Sequence, residues 1–308
     1  MENTRAKTTR NSLILLLTAT IWGMAFVSQS KGMDYMHPFT FNGVRSLIGA
    51  AGILVYILIS RKIAGDKAAK LDWKLNVKAG LLCGIFLTIA STLQQFGIKY
   101  TSVGKAGFIT TLYIIFVPMF GIFLKKKVAP VVWAAAGMAA VGMYLLCMTE
   151  SLRLGAGDIM VFLCAIAFAI QIMTVDHYAA RIDGAVVSCI QFTVCGVVCC
   201  IGALIWGQPT FGQIQEGLGA LLYAGVLSCG VGYTLQIVGQ KGLNPTVAAL
   251  IMSLESVIAT ISGWIAYKIG FLSTDQTLTP RQIAGCIIVF AAVILVQLPP
   301  EWFRFGKK

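Results

Sequence analysis

Residues 234–266, TLQIVGQKGLNPTVAALIMSLESVIATISGWIA, decide the fold of this chain because an earlier segment repeats them. Residues 92–124, TLQQFGIKYTSVGKAGFITTLYIIFVPMFGIFL, match them without a gap at a constant offset of 142, and nine of the 33 positions are identical. Shared apolar composition alone gives only a few such matches, so we interpret the pair as an internal duplication. Glu255 is an acid within an otherwise apolar segment, and it marks where the second copy departs from the first.

The composition is that of a polytopic helical membrane protein. Hydrophobic residues make up 57% of the 308 positions and charged residues only 12%, whereas a soluble domain carries about 25% charged residues. The first apolar run, 12–30, follows three basic residues as a signal peptide would. It has no small-residue cleavage site leading into a polar chain, so we predict a retained first span.

Ten windows are long and apolar enough to cross a bilayer, which takes about 20 residues each. They lie near 12–30, 38–60, 76–97, 103–124, 129–148, 157–176, 185–206, 217–240, 245–269 and 280–298. The predicted organisation is an N-terminus at 1–11, a first repeat at 12–148, a second repeat at 149–298 and a basic C-terminus at 299–308.

The net charge of +12 is explained by membrane orientation and does not require a nucleic acid partner. Counting Lys and Arg by alternating sides of ten spans gives 17 on the side of both termini and 6 on the other, with Arg45 inside a span. Basic loops remain in the cytoplasm, so both termini are predicted there, in a multi-pass protein of the cytoplasmic (inner) cell membrane.

The duplication also has a direction. Span three maps onto span eight and span four onto span nine, so equivalent helices are five crossings apart and traverse the bilayer in opposite senses. The predicted fold is all-α, with ten transmembrane helices in two inverted five-helix repeats. Spans two and seven align more weakly, and their alignment places Gln191 at the position of Arg45.

Glu255 is the first candidate for function. It lies about ten residues into its helix, roughly 15 Å deep, where a carboxylate should face the protein interior or water and mark a pathway. Because removal from water favours the neutral form of a carboxyl group, Glu255 is a candidate proton carrier or partner of a cationic substrate group. A structural carboxyl hydrogen-bonded to neighbouring hydroxyls is the alternative.

Arg45 is the second charge within a span. It could attract a substrate carboxylate or pair with Glu255, and snorkelling outward or pinning helix ends are structural alternatives. Further polar and aromatic side chains lie at similar depth in both halves and predict a polar central cavity, although tight helix packing explains any one of them. They are Asn42, Trp22, Gln94, Thr110, Tyr113, Gln171, Gln191, Tyr233, Gln236, Ser253 and Ser256.

No sequence signature of an enzyme, metal site or cofactor site is present. The nine cysteines all lie in predicted spans, without a CxxC pair or a histidine cluster, so we predict neither disulfides nor zinc. Walker, GxSxG and HExxH motifs are absent. A membrane-embedded enzyme modifying lipids would have little beyond Asp176 and His177 to use.

The repeat and the segment from Asn244-Pro245 to Leu254-Glu255 resemble the drug/metabolite transporter superfamily, EamA type. The resemblance covers nearly the whole chain, 12–148 and 157–298, although Ser256 stands where that family often has proline. It implies a central cavity between the halves, alternating access, and small metabolites such as amino acids as exported substrates. Members that exchange phosphorylated or nucleotide-linked sugars would need several basic cavity residues, and this chain offers Arg45.

We therefore predict a secondary-active transporter that exports a small, zwitterionic or organic metabolite. Proton coupling through Glu255 and uncoupled facilitation both fit these residues. The predicted partners are the substrate and the lipid bilayer, and a homodimer is one assembly that the sequence leaves open.

Overall fold

The computed structural model describes residues 2–65, 71–124, 129–147, 155–273 and 275–297, and within these ranges the chain is helical with no strand. Eight helical stretches in these ranges are long and apolar enough to cross a membrane. Two shorter apolar helices, Pro130–Gly142 and Pro280–Leu295, lie at the fifth and tenth predicted spans. All ten predicted windows therefore contain helix, and ten complete crossings remain a prediction.

The first half consists of α1 (Glu2–Gly32), α2 (Pro38–Ala64), α3 (Trp73–Ile98), α4 (Val103–Thr111), α5 (Tyr113–Phe123) and α6 (Pro130–Cys147). The second begins with α7 (Ala156–Tyr178), α8 (Gly184–Gly202), a π-helical turn (Ala203–Gly207), α9 (Phe211–Glu216) and α10 (Leu218–Leu222). It continues through a π-helical segment (Tyr223–Gly232), α11 (Tyr233–Gln240), α12 (Pro245–Met252), α13 (Glu255–Lys268) and α14 (Pro280–Gln297).

Helix starts follow directly from local sequence. His37 caps α2 ahead of Pro38, and Asn244 caps α12 ahead of Pro245, because proline fits the first helical position, where its missing N–H is not needed. Asp183 caps α8 by accepting from the backbone N–H groups of its first turn at 3.0 and 3.2 Å. Such caps satisfy donors that would otherwise be unpaired at a helix end.

Counterpart helices from the two halves pack against each other in antiparallel pairs. Between α2 and α8, Ser46 Oγ lies 3.5 Å from Cys195 Sγ and the Ala50 carbonyl oxygen lies 3.6 Å from Cys189 Sγ. Residue numbers increase along α2 while those of their partners decrease along α8, so the two helices are antiparallel. Span four (α4–α5) packs antiparallel to span nine (α12–α13), and α6 packs antiparallel to α14. This geometry fits a two-repeat architecture whose copies are inverted.

Close packing between the halves uses equivalent glycines. A Cβ on Gly97 of α3 would lie 2.3 Å from Val161 of α7, and one on Gly239 of α11 would lie 2.8 Å from Leu15 of α1. Gly97 and Gly239 are repeat counterparts, so Leu15 and Val161 are counterparts as well, at an offset of 146. The offset of 146 also relates Arg45 to Gln191. Spans one and two are therefore related to their counterparts by 146 residues, and spans three and four by 142 residues.

Spans four and nine are broken at the same place. Leu112 separates α4 from α5, and Ser253 and Leu254 separate α12 from α13. Leu254 is the repeat counterpart of Leu112. At both breaks a 3₁₀-type hydrogen bond, from the N–H of one residue to the carbonyl three residues earlier, is present. It joins Leu112 N to Ile109 O at 3.2 Å and Leu254 N to Ile251 O at 3.3 Å. Each break brings the next residue to the interface between the halves.

Candidate functional site

A cavity between the two halves contains most of the polar residues that the spans carry. Its empty volume is about 580 Å³, including the part open to solvent, and helices α1, α2, α3, α4, α5, α7, α8, α11 and α13 contribute to its wall together with the second π-helical segment. Nine of the thirteen predicted site residues line it. These are Trp22, Arg45, Gln94, Thr110, Tyr113, Gln171, Tyr233, Gln236 and Glu255.

The cavity lies on the pseudo-two-fold axis, because most of its wall consists of repeat counterparts. Fourteen of its nineteen residues form seven pairs at the offsets of 146 and 142. The pairs are Trp22 with Phe168, Phe26 with Ile172, Ser46 with Phe192, Leu87 with Cys229, Ser91 with Tyr233, Gln94 with Gln236, and Tyr113 with Glu255. The frame of the cavity is thus duplicated, whereas its chemistry differs between the two sides.

Glu255 and Tyr113 meet on that axis. The Tyr113 hydroxyl donates to Glu255 Oε1 at 3.0 Å, and both side chains are buried. Each is the first residue after the break in its span, and Glu255 starts α13, where the helix dipole favours a negative group. The hydrogen bond therefore links equivalent positions of the two repeats at the centre of the protein.

Arg45 contributes an unpaired cation to the same cavity. It is 5% exposed, its guanidinium carbon lies 5.3 Å from the centre of the Phe41 ring, and its Nε has no hydrogen-bond partner. Within the described ranges no carboxylate lies within 4.0 Å of it, so of the roles that the sequence left open for Arg45, pairing with Glu255 is not the one observed. A buried guanidinium without a carboxylate partner is costly unless a ligand or water satisfies it.

The amides and aromatic rings form a fixed lining. Gln171 and Gln236 hydrogen-bond each other at 3.2 and 3.4 Å, while Gln94 donates to the Thr110 hydroxyl at 3.2 Å. The Trp22 and Tyr233 rings are 4.5 Å apart between centroids. These groups hold one another in place, so they provide shape and polarity rather than a free charge.

Four predicted site residues do not line the cavity. Asn42 donates to the Ser91 carbonyl at 2.9 Å, and Ser253 and Ser256 donate to carbonyls three residues earlier at 2.7 and 2.8 Å. Gln191 is fully buried, and neither of its side-chain polar atoms has a hydrogen-bond partner. The three bonded side chains stabilise helices and their contacts, as tight packing would require.

Sequence reasoning missed ten residues of the wall. Ser228 and Cys229 lie in the π-helical segment, where the Ser228 carbonyl accepts from Trp22 Nε1 at 3.4 Å; such local unwinding is frequent at functional sites. Most of the others are apolar or small and gave no signal of their own. Applying the repeat offset would have found Phe168 from Trp22. The missed residues are Phe26, Gln29, Ser46, Leu87, Ser91, Phe168, Ile172, Phe192, Ser228 and Cys229.

Other chemistry is sparse in the part of the chain that the structure describes. No group of three or more His, Cys, Asp or Glu side chains is arranged there to hold a metal ion. Eight cysteines have described side chains, and all eight are free thiols; Cys147 lies outside that set.

A polar cavity between two inverted helical repeats in an apolar bundle is typical of multi-pass membrane transporters. The model of the EamA-like transporter family matches the chain over residues 10–148 and 155–298, so the chain belongs to that family. The predicted resemblance to the drug/metabolite transporter superfamily is confirmed. The family also indicates a transporter rather than an enzyme.

Individual similarities agree with this assignment. An uncharacterized transporter of Archaeoglobus fulgidus is 28% identical over 290 residues, covering 92% of this chain and 84% of its own. The uncharacterized transporter YwfM of Bacillus subtilis is 24% identical, covering 94% of both chains. A protein of known crystal structure matches 93% of this chain and 96% of its own with a TM-score of 0.71 at 16% identity, which supports the fold alone.

Proposed function

We propose that this protein is a secondary-active exporter of small zwitterionic metabolites such as amino acids, working by alternating access in the cytoplasmic membrane. Ten crossings with both termini in the cytoplasm are part of the proposal. One observation carries it: a single axial cavity contains an unpaired guanidinium, Arg45, and a buried carboxyl, Glu255, that do not contact each other within 4.0 Å.

The two charged groups match the two ends of a zwitterion. Arg45 presents N–H donors suited to a carboxylate, for which a guanidinium provides bidentate geometry. Glu255 accepts from Tyr113 and has a second oxygen available for a substrate ammonium group. The aromatic rings of Trp22, Phe168 and Phe192 supply apolar wall for a side chain.

The position of the cavity supports alternating access. Because it lies on the pseudo-two-fold axis, exchanging the conformations of the two repeats would open it alternately to the two sides of the membrane. The breaks at Leu112 and at Ser253–Leu254 are the points along spans four and nine where such a change could concentrate, since hinges are often a few element-terminal residues.

Glu255 is also the proposed coupling group. A carboxyl in this surrounding can carry a proton when the substrate is absent and release it when an ammonium group arrives. Tyr113 would then keep Glu255 oriented in both protonation states. Coupling is thus a separate element of the proposal from substrate recognition by Arg45.

The test is counterflow in proteoliposomes loaded with an unlabelled amino acid mixture, with each labelled amino acid added in turn. Glu255→Gln and Arg45→Gln are compared with Asp34→Asn and Arg10→Gln, which make the same kinds of change at exposed positions. We expect exchange to fall by at least about tenfold in both cavity variants, which corresponds to the loss of one charge-assisted hydrogen bond, and to persist in both controls.

Amines lacking the carboxylate separate the roles of the two residues. For such a compound Arg45→Gln should matter little, whereas Glu255→Gln should still reduce its flux. Unchanged amino acid exchange in both cavity variants would contradict recognition. A pH dependence of net export that is the same in wild type and Glu255→Gln would contradict proton coupling alone.

A further inference from the structure

A second, larger cleft lies at the end of the bundle that the charge distribution assigns to the cytoplasm. Its empty volume is about 1360 Å³, including open solvent, and it is bounded by the ends of α2 and α11, the approach to α3, and the turn between α7 and α8. Basic side chains approach it from three of these elements: Arg61, Arg181 and Lys241.

The cleft is separate from the transport cavity. Helix α11 lies between them, since Gln236 lines the cavity whereas Thr234 and Val238 line the cleft. Two residues correspond to about 200° around an α-helix, so these side chains point to nearly opposite sides. The face that carries Thr234 and Val238 continues into Val231 and Leu227, both 40% exposed.

The repeat explains why this space is open. At the other end of the bundle, His37, Phe39, Phe96 and Trp206 form a cluster of rings with centroid separations of 5.1 to 5.7 Å. Their counterparts at the offsets of 146 and 142 are Asp183, Ala185, Val238 and Ser60, and all four line the cleft. Small side chains therefore occupy here the positions from which aromatic rings fill the equivalent gap.

The charges in the cleft leave cations available. Asp183 and Asp72 both accept from backbone N–H groups at helix starts, Asp72 from Leu75 N at 3.0 Å. Across the described residues, neither acid lies within 4.0 Å of a basic side chain, and no carboxylate lies that close to Arg61 or Arg181. Lys241 Nζ donates to the Ile182 carbonyl at 3.2 Å, so this ammonium group lies at the turn between α7 and α8.

We propose that this cleft binds the phosphodiester headgroup of an anionic phospholipid. Basic pockets between helices at the cytoplasmic side of a membrane suit such headgroups. The apolar surface needed for acyl chains is adjacent, since Tyr56 is 61% exposed and Ile63 is 81% exposed on α2. The lipid would fill the gap between α2 and α11 that the ring cluster fills at the opposite end.

The experiment measures thermal unfolding of the purified full-length protein in a neutral detergent during titration with phosphatidylglycerol. Phosphatidylcholine and soluble glycerol phosphate are parallel titrations, which distinguish an anionic lipid from any lipid and from free phosphate. Arg61→Gln/Arg181→Gln removes two cations from the cleft. Lys62→Gln/Lys78→Gln removes two nearby exposed cations that do not line it.

We expect phosphatidylglycerol to raise the Tm of the wild type more than the other two compounds do. The phosphatidylglycerol concentration for half-maximal stabilisation should rise about 30-fold in Arg61→Gln/Arg181→Gln, given the usual contribution of a basic residue near an anionic lipid. The control double variant should keep the wild-type value. Equal titrations for the two double variants would overturn the proposal, as would equal stabilisation by glycerol phosphate.

A second variant retains every charge and tests the space instead. Ser60→Trp/Ala185→Phe introduces at the cleft the aromatic side chains found at the counterpart positions Trp206 and Phe39. We expect this variant to fold, because it fills a gap rather than a core, and to lose the specific response to phosphatidylglycerol. A retained response would mean that the headgroup lies elsewhere, and would contradict the assignment even if the charge variants behaved as expected.

Discussion

Spans four and nine occupy equivalent places in the two repeats, but their chemistry differs just past the break that they share. Pro118 lacks the N–H that would donate to the Ile114 carbonyl just past the break in span four. At the counterpart position in span nine, Thr260 donates its hydroxyl to the Ser256 carbonyl at 2.9 Å, and Ser256 donates to the Ser253 carbonyl at 2.8 Å. The bond from Ser253 to the Leu250 carbonyl is shared, because its counterpart Thr111 donates to the Phe108 carbonyl in span four. Hydroxyl bonding of this kind bends helices without proline.

The comparison shows that the duplicated frame tolerates changes of residue type. A backbone break is retained, while the side chains after it have become a phenol, Tyr113, on one side and an acid, Glu255, on the other. The same holds for Arg45 and Gln191, which occupy equivalent positions with and without a charge. In the proposed transport function, recognition therefore depends on how the repeats differ, whereas the fold depends on what they share.

The largest expected loss of stability comes from substitutions at the counterpart glycines Gly97 and Gly239, where the two halves pack closely. In Gly97→Ala the new Cβ would lie 2.3 Å from Val161 and 2.8 Å from the Gly157 carbonyl oxygen, so backbone has to move. In Gly239→Ala the contacts under 3 Å are with Cγ and Cδ2 of the Leu15 side chain, and the nearest backbone atom is the Asn11 carbonyl oxygen at 3.2 Å. We expect a loss of about 3 kcal/mol for the first and about 1 kcal/mol for the second, measured as unfolding in detergent.

Gly52→Ala is the matched control, because nothing lies within 4 Å of its new Cβ. Its effect should be neutral or slightly stabilising, since alanine favours helix over glycine. Equal losses of stability in Gly97→Ala and Gly239→Ala would mean that the two counterpart contacts are equally rigid.

A smaller effect tests whether the site is as symmetric as the frame. In the exchange variant Tyr113→Glu/Glu255→Tyr, the hydrogen-bonded pair is restored with its members swapped across the axis. Each single change removes the pair, leaving two acids or two phenols facing each other. We expect the double variant to be more stable than the sum of the singles predicts, by about 2 kcal/mol.

Thermal unfolding of the four proteins in one detergent gives this coupling directly. The control is a second double-mutant cycle on two residues that are not in contact, Tyr144→Phe with Glu255→Gln. Tyr144 contacts Arg281, whereas Glu255 contacts Tyr113. That pair should be additive within about 0.5 kcal/mol. Additivity in the exchange cycle would show that the surroundings of Tyr113 and Glu255 are not interchangeable, even though the backbone positions are.

Much of the fold was predictable because each membrane span is a long apolar run in the sequence. The internal duplication also fixes which spans are equivalent. Helices lie at all ten predicted windows, and Glu255, Tyr113 and Arg45 reach one cavity. Depth within a span and membership of a repeat were enough to bring these residues together. The family assignment followed from the same repeat.

What could not be predicted concerns the side chains' partners. Ser253 and Ser256 were expected in the cavity, but a hydroxyl can equally bond a carbonyl of its own helix, and here both do. The π-helical segment that exposes the Ser228 carbonyl has no counterpart in α3 and no clear sequence signal. Rotation of a helix by one bulge changes which residues face inward, and hydropathy does not record it.

The smallest expected effect concerns the two caps at counterpart positions, His37 of α2 and Asp183 of α8. His37 accepts from the Phe39 N–H through Nδ1 at 3.4 Å, which requires a neutral ring. Burial, and then the charge of Lys99, lower the pKa of His37 below its ordinary value of 6.5. The folded state therefore binds the proton less readily than the unfolded state does, so this contribution is complete above pH 6.5 and declines as pH falls towards the folded pKa.

Asparagine keeps the acceptor of His37 and removes its titration, since Asn is itself a favoured N-cap. In His37→Asn the Tm should therefore fall less steeply than in wild type as pH is lowered from about 7 to about 5, while the Tm at pH 8 and above stays close to the wild-type value. The Tm at pH 8 is the control, because a difference there would report the cap itself and not the titration of His37. Equal slopes in His37→Asn and wild type would mean that the cap at His37 works as independently of pH in this range as the carboxylate cap at Asp183.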